Sequence, residues 1–431
     1  MNKYLILAAL IIFFVKCAEA QELRAVLSQA VEYYSAGNCE EALPLFEDII
    51  SSKLSAVHDN ATLLYSLNYY AGYCSRALLD RDRAVKYFSS ALTFAEKQNR
   101  QDQLPVINTF LGESERDSGN YLAASDYYMK AVKYLPDESV DTATVLYFLA
   151  EAHRGEKKYA QFFSVCERVT AMAKKFSLAK LEIECMTGAG EVYYEKGDYP
   201  QAINILSNAL IASKSAQLPI ETANNHMGLA IVYENLNKTD LARQNYEEAL
   251  KLYVASASIA NVPAIIEHLL ALPSCPPAQA AKSAELHSVQ AKELLRIGDE
   301  ESYLYMQLLV GEYLRQAGSY AKAIAVYRSA VELAVQNDFS AEAAKVSIAL
   351  SNVQYEMNDH TGASETLLKA IQFQLSQDPP TYLASIYAQQ GDIYTKTSRS
   401  AQARQSYQNA VKSAVSNEEK EKYEDILKSL K

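Results

Sequence analysis

The residues that could catalyse a reaction or hold a metal ion are scattered along this chain of 431 residues. Its six histidines fall in separate segments, and the sequence has no zinc-protease, serine-hydrolase, phosphate-loop or dinucleotide-binding motif. His153 and His226 occupy positions of predicted helices that pack against a neighbour, which favours core histidines over metal ligands. The spacing therefore predicts no catalytic site, no metal site and no cofactor, in a protein that is not an enzyme.

The first twenty residues differ from the rest and show the pattern of a secretory signal peptide. Lys3 precedes an unbroken apolar run over residues 4–15, and Ala18-Glu19-Ala20 supplies the small residues that a signal peptidase requires. We expect cleavage after Ala20 and an exported protein, periplasmic or secreted, with a signal anchor as the less favoured alternative. The apolar run is shorter than the ~20 residues of a spanning helix, and no second run approaches that length, so the mature chain is not expected to span a membrane.

The source compartment is less well defined by the sequence. Triplets that begin at Asn60 and Asn237 match the acceptor pattern for N-glycosylation in a eukaryotic secretory pathway. The short leader followed by Gln21 favours a bacterial periplasm instead, and both alternatives stay open.

The net charge argues against a nucleic-acid partner. Removal of Lys3, Lys16 and Glu19 with the leader leaves 39 basic and 51 acidic side chains, a net charge of −12. Proteins that bind the phosphate backbone carry a concentrated basic face instead.

The cysteines do not form the pattern of a disulfide framework. Five lie beyond the predicted leader, an odd number spread over distant segments: Cys39, Cys74, Cys166, Cys185 and Cys275. Cys166 and Cys185 fall on facing predicted helices, so one bridge in an oxidising compartment is an alternative to small buried side chains, which we favour.

One alanine recurs along most of the chain, at Ala84, Ala124, Ala202, Ala242, Ala323, Ala363 and Ala403. The intervals are 40, 78, 40, 81, 40 and 40 residues, so the two long intervals are doubled periods. A fixed period of this length predicts a stacked repeat array rather than one globular core.

The pattern is most complete between Pro105 and Pro136, with Gly112, Gly119, Tyr121, Ala124, Tyr128 and Ala131 at fixed offsets. It resembles the tetratricopeptide repeat, two antiparallel helices with small residues where they cross. The resemblance implies an all-α fold, a right-handed α-α superhelical solenoid of about nine helical hairpins with a C-terminal capping helix. A period of 40 residues, against about 34 in the usual repeat, resembles the long repeats of kinesin light chain and of bacterial peptide-sensing regulators.

The doubled interval before Ala323 contains prolines that interrupt a helix. We therefore divide the chain into a signal peptide (1–20), an N-terminal array of about six repeats (21–260), a degenerate helical hairpin (261–300), a C-terminal array of three repeats (301–416) and a capping helix (417–431).

The resemblance also implies which residues line a concave groove, because the family exposes fixed positions of each first helix. These positions hold Leu27, Tyr34, Tyr69, Tyr73, Glu113, Tyr147, Glu151, Glu191 and Glu195. An apolar, aromatic and acidic groove suits a peptide with apolar and basic side chains, although the tyrosines have an alternative role in covering neighbouring helices.

The function predicted from these features is a non-catalytic exported scaffold or adaptor that binds a protein or peptide in the groove. The alternative is a ligand- or peptide-responsive regulator or sensor that uses the same groove.

Overall fold

The computed structural model describes residues 18–52, 57, 60–377 and 379–430, with side chains from residue 23 onward. These residues form 21 α-helices and one short 3-10 helix, and they contain no strand. The expected all-α class is confirmed, and successive helices pack on one another as in a helical repeat protein. None of the described helices combines the length and apolar character that a membrane span needs.

Contacts between residues divide the chain into two compact units, Met1–Ala216 and Gln217–Lys431. The described helices of unit 1 form five consecutive pairs, and a turn of a few residues joins the two helices of each pair. Their bounds are α1 Ala18–Ser35, α2 Cys39–Ser51, α3 Ala61–Ala77, α4 Arg81–Lys97, α5 Leu104–Asp117, α6 Tyr121–Val132, α7 Val140–Gly155, α8 Tyr159–Phe176, α9 Ala179–Glu195 and α10 Tyr199–Ser215.

Unit 2 contains the remaining helices. Their bounds are α11 Pro219–Asn235, α12 Thr239–Ala255, the 3-10 helix Ile259–Asn261, α13 Val262–Ala271, α14 Pro277–Arg296, α15 Glu300–Gln316, α16 Tyr320–Gln336, α17 Ser340–Glu356, α18 His360–Leu375, α19 Leu383–Lys396, α20 Ser400–Ser413 and α21 Asn417–Ser429. The last helix packs on α20, and its Tyr423 is buried.

The recurring alanines mark the points where paired helices touch, since all seven have no exposed surface. Glycine serves the same purpose on the opposite helix. A Cβ added at Gly112 would lie 2.6 Å from the Tyr128 ring, and one at Gly311 would lie 2.2 Å from the Tyr327 ring. Small residues at the crossing therefore let the large tyrosines fill the space beside it.

Fifteen of the 21 described helices are followed by a residue in the left-handed region, where the backbone reverses. Five of these residues are glycines, and ten others are not, among them Leu79 with a φ of 60° and Asn237 with a φ of 55°. In most of the chain these turns follow one another at intervals of 20 residues, half of the alanine period.

The segment where the pattern lapses holds α13 and α14, both inside the predicted range 261–300. Helix α13 packs against α12 and α15, and α14 packs along α15. The backbone between them is extended at Leu272 and Pro276. The buried Arg243 of α12 donates a hydrogen bond to the Pro273 carbonyl, which ties this connection to the core.

The predicted signal peptide falls almost wholly outside the described residues. Residues 1–17 are not described, and the predicted cleavage site at Ala18–Ala20 forms the first turn of α1. The leader, the domain bounds and the right-handed superhelix stay predictions.

Candidate functional site

The first helices of successive pairs in unit 1 bring their side chains together on one surface. We call this surface, formed by α1, α3, α5, α7 and α9, the A-helix face. Ring contacts and ion pairs join each of these helices to the next along much of the surface. Eight of the nine residues predicted from the sequence lie on it.

Leu27 is the exception among the predicted residues. Its side chain is only 7% exposed, and it packs in the core of the first helix pair with Phe46 and Leu63. It therefore supports α1 and does not line an open surface.

An aromatic cluster covers the first part of the A-helix face and consists of Tyr34, Tyr69, Tyr70, Tyr73 and Phe110. The Tyr34 and Tyr73 ring centroids are 5.4 Å apart, and Phe110 lies 5.9 Å from Tyr69 and 6.2 Å from Tyr73. Tyr73 is 40% exposed, whereas Tyr70 is buried. The cluster thus has a packed base and an open edge.

The Tyr34, Tyr69 and Tyr70 hydroxyl groups keep their protons at neutral pH. Burial, followed by the nearby Tyr70 and Tyr73 hydroxyls, raises the pKa of Tyr69 to about 12. Burial likewise raises the pKa of Tyr34. A protonated phenol both donates and accepts hydrogen bonds, so the cluster offers polar contacts as well as apolar area.

The predicted acidic residues are paired with arginines. The Arg76 guanidinium lies 2.7 Å from the Glu113 carboxylate, across two successive pairs. Arg154 lies 2.6 Å from Glu151 on its own helix and 2.8 Å from Glu191 on the next first helix. Burial raises the pKa of Glu113 and outweighs the lowering effect of Arg76. The glutamates of the predicted acidic groove therefore form a ladder of ion pairs with arginines, which we call the ion-pair ladder.

The sequence analysis missed both arginines, although a signal for Arg154 is present. A carboxylate follows the small residue of the helix crossing, and an arginine follows three positions later, as in Glu113 and Arg116 or Glu151 and Arg154. This spacing places both groups on one side of a helix.

A cavity of about 750 Å³ opens where α5, α7 and α9 approach one another, and it brings three predicted residues together, Tyr147, Glu151 and Glu195. The hydroxyl of Tyr159 donates a hydrogen bond to Glu195 at 2.7 Å. Burial and then the charge of Glu151 raise the pKa of Tyr147. Lys157 adds an exposed cation to the lining, so the cavity is polar with charges of both signs.

A smaller cleft of about 180 Å³ lies beside the aromatic cluster, between α3 and the start of α5. Its walls include Tyr65 and Tyr69, whose rings stack with centroids 6.1 Å apart. The amide oxygen of Gln103 is buried there without a hydrogen-bond partner. This cleft is the size of a single side chain and contains an acceptor that sequence reasoning did not identify.

Unit 2 repeats the ion-pair pattern without the aromatic cluster. Arg315 lies 2.7 Å from Glu312 and 2.8 Å from Glu356 on the following first helix. A cavity of about 730 Å³ lies between α16, α17 and α18, and none of the predicted site residues lines it. Within the described ranges, no set of three or more His, Cys, Asp or Glu side chains is arranged to hold a metal ion.

Two segments of the chain, residues 182–254 and 384–414, match models of the tetratricopeptide repeat. The predicted repeat type is therefore shown for these segments. No curated protein matches the sequence.

The chain is also similar to solved helical repeat structures. One is a signal-transduction ATPase with a tetratricopeptide repeat sensor from Pyrococcus horikoshii, at 13% identity, with 91% of this chain and 54% of that chain covered and a TM-score of 0.49. Another is the apo form of RapI, at 13% identity over 91% of this chain and 97% of that chain, with a TM-score of 0.44. A third is BtubC from P. vanneervenii, at 16% identity over 51% of this chain and 92% of that chain, with a TM-score of 0.41.

Proposed function

We propose that the protein is a non-catalytic scaffold that binds an extended segment of a partner protein on the A-helix face of unit 1. The observation that carries this proposal is the aromatic cluster, which stays partly open at Tyr73 and adjoins the small cleft. The larger cavity lies further along the same row of first helices. Exposed tyrosines with few rotatable bonds give large contact area at a low entropy cost, which is why they are frequent in binding sites.

The ion-pair ladder holds arginine side chains of the A-helix face in place before a partner binds. Arg154 is held by Glu151 and Glu191, so its guanidinium needs little further ordering when a partner arrives.

The pairing of the carboxylates also bears on the partner's side chains. A basic residue of the partner would compete with Arg76 for Glu113 and with Arg154 for Glu191. We therefore propose that apolar and aromatic side chains, docked on the aromatic cluster, supply most of the affinity.

Selection from a random peptide library against the full-length chain tests this function. Selected peptides are expected to be rich in apolar and aromatic residues and to lose about tenfold in affinity with Tyr73→Ala, as measured by calorimetry. Tyr134→Ala is a matched control, because Tyr134 lies outside the A-helix face and is exposed to the same extent, 41% against 40%.

One result would contradict the proposed binding site, and another would favour the alternative function. If both Tyr69→Ala and Tyr73→Ala bind the selected peptides as tightly as the unchanged chain, the aromatic cluster is not the site. If peptide binding changes hydrogen exchange in helices that do not touch the peptide, a ligand-responsive regulator is favoured over a passive scaffold.

We also propose that the protein is exported. The proposal rests on the charged start, the apolar run over residues 4–15 and the small residues at Ala18 and Ala20. Mass analysis of the chain recovered from its own cells should show an N-terminus at Gln21. A chain that keeps all of residues 1–20 would contradict cleavage.

A further inference from the structure

Four of the cysteines in unit 1 lie in two contacting pairs. Cys39 lies at the start of α2 beside Cys74 of α3, and Cys166 of α8 lies beside Cys185 of α9. The two thiols of each pair lie in one buried hydrophobic cluster and interact electrostatically, and all four side chains are buried.

Both pairs occupy the same kind of joint in the fold. Each links the second helix of one pair to the first helix of the next, and the two helices pack directly on each other. Cys275 of unit 2 has a different environment, because its thiol and its backbone N–H both donate to the amide oxygen of Gln316, at 3.4 and 3.0 Å.

We propose that Cys39 with Cys74, and Cys166 with Cys185, are two oxidation sites at which disulfide bonds join consecutive helix pairs of unit 1. The proposal goes beyond the binding function and does not depend on it. Sequence spacing alone suggested one alternative bridge, Cys166 to Cys185, whereas the structure adds a second pair at the same kind of joint between helix pairs.

The oxidant is a small disulfide such as glutathione disulfide. The thiolate of one cysteine attacks a sulfur of the oxidant, which forms a mixed disulfide and releases one glutathione thiolate. The partner thiolate then attacks the protein sulfur of the mixed disulfide and displaces the second glutathione thiolate. The two electrons reduce the oxidant, and the two thiol protons end on the two glutathione molecules.

The burial of the thiols determines whether the disulfides form in the folded chain or during folding. Burial, followed by the hydrogen bond with Cys39, raises the pKa of Cys74, and the hydrogen bond with Cys185, followed by burial, raises the pKa of Cys166. Because the thiolate is the reactive form, folded unit 1 reacts slowly, and the bonds form mainly while the helices assemble or open.

The test uses the full-length chain with Cys17→Ser and Cys275→Ser, which keeps only the four paired cysteines. The chain is refolded with glutathione disulfide, unfolded without a reductant, treated with N-ethylmaleimide and weighed. We expect no maleimide label and a mass about 4 Da below that of the reduced chain, since each bridge removes two hydrogens. After reduction, all four thiols should be labelled.

Single substitutions in this background assign the pairs. Cys39→Ser should free only the Cys74 thiol, and Cys185→Ser should free only Cys166, each taking up one maleimide or one glutathione. Circular dichroism shows whether these variants keep their helices. Four labels after refolding in glutathione disulfide, or bridges between other cysteines, would overturn the proposal.

A measurement on the wild-type protein tests the proposal even if the substituted chains fail to fold. The wild-type chain is refolded with glutathione disulfide, digested without a reductant and analysed by mass spectrometry. Peptides that join Cys39 to Cys74 and Cys166 to Cys185 are expected. Recovery of all four cysteines only as free thiols or glutathione adducts would overturn the proposal without any substitution.

Discussion

The arginines of the A-helix face carry charges that the surrounding carboxylates stabilise. Burial alone would lower the pKa of Arg154, but the charges of Glu191 and Glu151 outweigh burial and raise it. Arg154 and Glu151 are both mostly shielded from water, with side-chain exposures of 26% and 16%. Removal of either partner therefore leaves a poorly solvated charge behind.

We expect Arg154→Gln to lower the free energy of unfolding by about 1–3 kcal/mol, because Glu151 then loses its bidentate partner in a partly buried site. Urea unfolding followed by circular dichroism measures the change. Arg83→Gln is the control, since Arg83 is 52% exposed and its ion pairs with Asp80 and Glu47 should contribute little. Equal stability of the Arg154→Gln and unchanged chains would show that the ladder does not support the face.

The family resemblance predicted which positions of each first helix line the groove, because the family exposes fixed positions. It placed Tyr69, Tyr73 and Tyr147 on this surface, as the structure does. It did not reveal that Glu113 is paired, because the partner Arg76 is 37 residues away and only packed neighbouring helices bring the two together. Leu27 was misplaced for a related reason, since its burial depends on the neighbouring α2 and α3.

At the level of helices, a buried polar cluster holds the irregular segment of unit 2. Arg243 donates to the Tyr313 hydroxyl at 3.0 Å, and that hydroxyl donates to Glu247 at 3.1 Å. Ser283 of α14 donates to the same carboxylate at 2.8 Å. The cluster links α12, α14 and α15 across the segment where the alanine period lapses.

The charge of Glu247 makes this link dependent on pH. Burial alone would raise the pKa of Glu247, but the adjacent His287 and the hydrogen bonds from Ser283 and Tyr313 outweigh burial and lower it. A carboxyl group whose pKa is lower in the folded state stabilises the fold above its unfolded-state pKa. This contribution is lost as the pH falls through the folded-state value.

Glu247→Gln should therefore lower the melting temperature at pH 7, whereas the difference from the unchanged chain should shrink towards pH 3. Thermal unfolding followed by circular dichroism from pH 3 to 7 measures this convergence. Glu248→Gln is the matched control, because the neighbouring Glu248 is exposed and pairs only with Lys251 among the described residues. A Glu247→Gln deficit of the same size at pH 3 and pH 7 would contradict the role of the carboxylate charge.

The prolines of this segment indicated a break in the helix, and helices α13 and α14 flank that break. The cluster itself had no sequence signal, because an arginine on a helix is nearly always at the surface. Arg243 is 1% exposed. Its burial is favourable only because the surrounding helices enclose it and the Pro273 carbonyl accepts its hydrogen bond.

Across the whole chain, the left-handed turns recur at half the period of the alanines. The sequence analysis recognised turns of this kind at Gly119, whereas the non-glycine residues at equivalent turns, such as Leu79 and Ala257, gave no signal. The all-α class could be predicted because periodic small residues determine it. The division after Ala216 could not, since the alanine interval from Ala202 to Ala242 continues through it without change.

Leu79 shows the backbone strain of these turns, because it is a leucine with a φ of 60°. It is also 80% exposed, so its side chain contributes little to packing. We expect Leu79→Gly to raise the free energy of unfolding of unit 1 by about 0.5–1 kcal/mol, because relief of the left-handed strain exceeds the entropy that glycine adds to the unfolded chain. Ile211→Gly is the control, since Ile211 is also exposed but lies inside α10 and should lose about 1 kcal/mol. Destabilisation by Leu79→Gly in urea unfolding would show that this turn is not strained.

The ion pairs between successive first helices also constrain which helix pairs can be neighbours in the chain. Arg76, Arg154 and Arg315 each bond to an acidic residue on the first helix of the following pair. A gene rearrangement that deleted or exchanged one helix pair would separate an arginine from its acceptor, even if every hairpin kept its own fold. The repeats of each unit are therefore not interchangeable modules, and insertions or duplications are tolerated only where the new neighbour supplies the matching carboxylate.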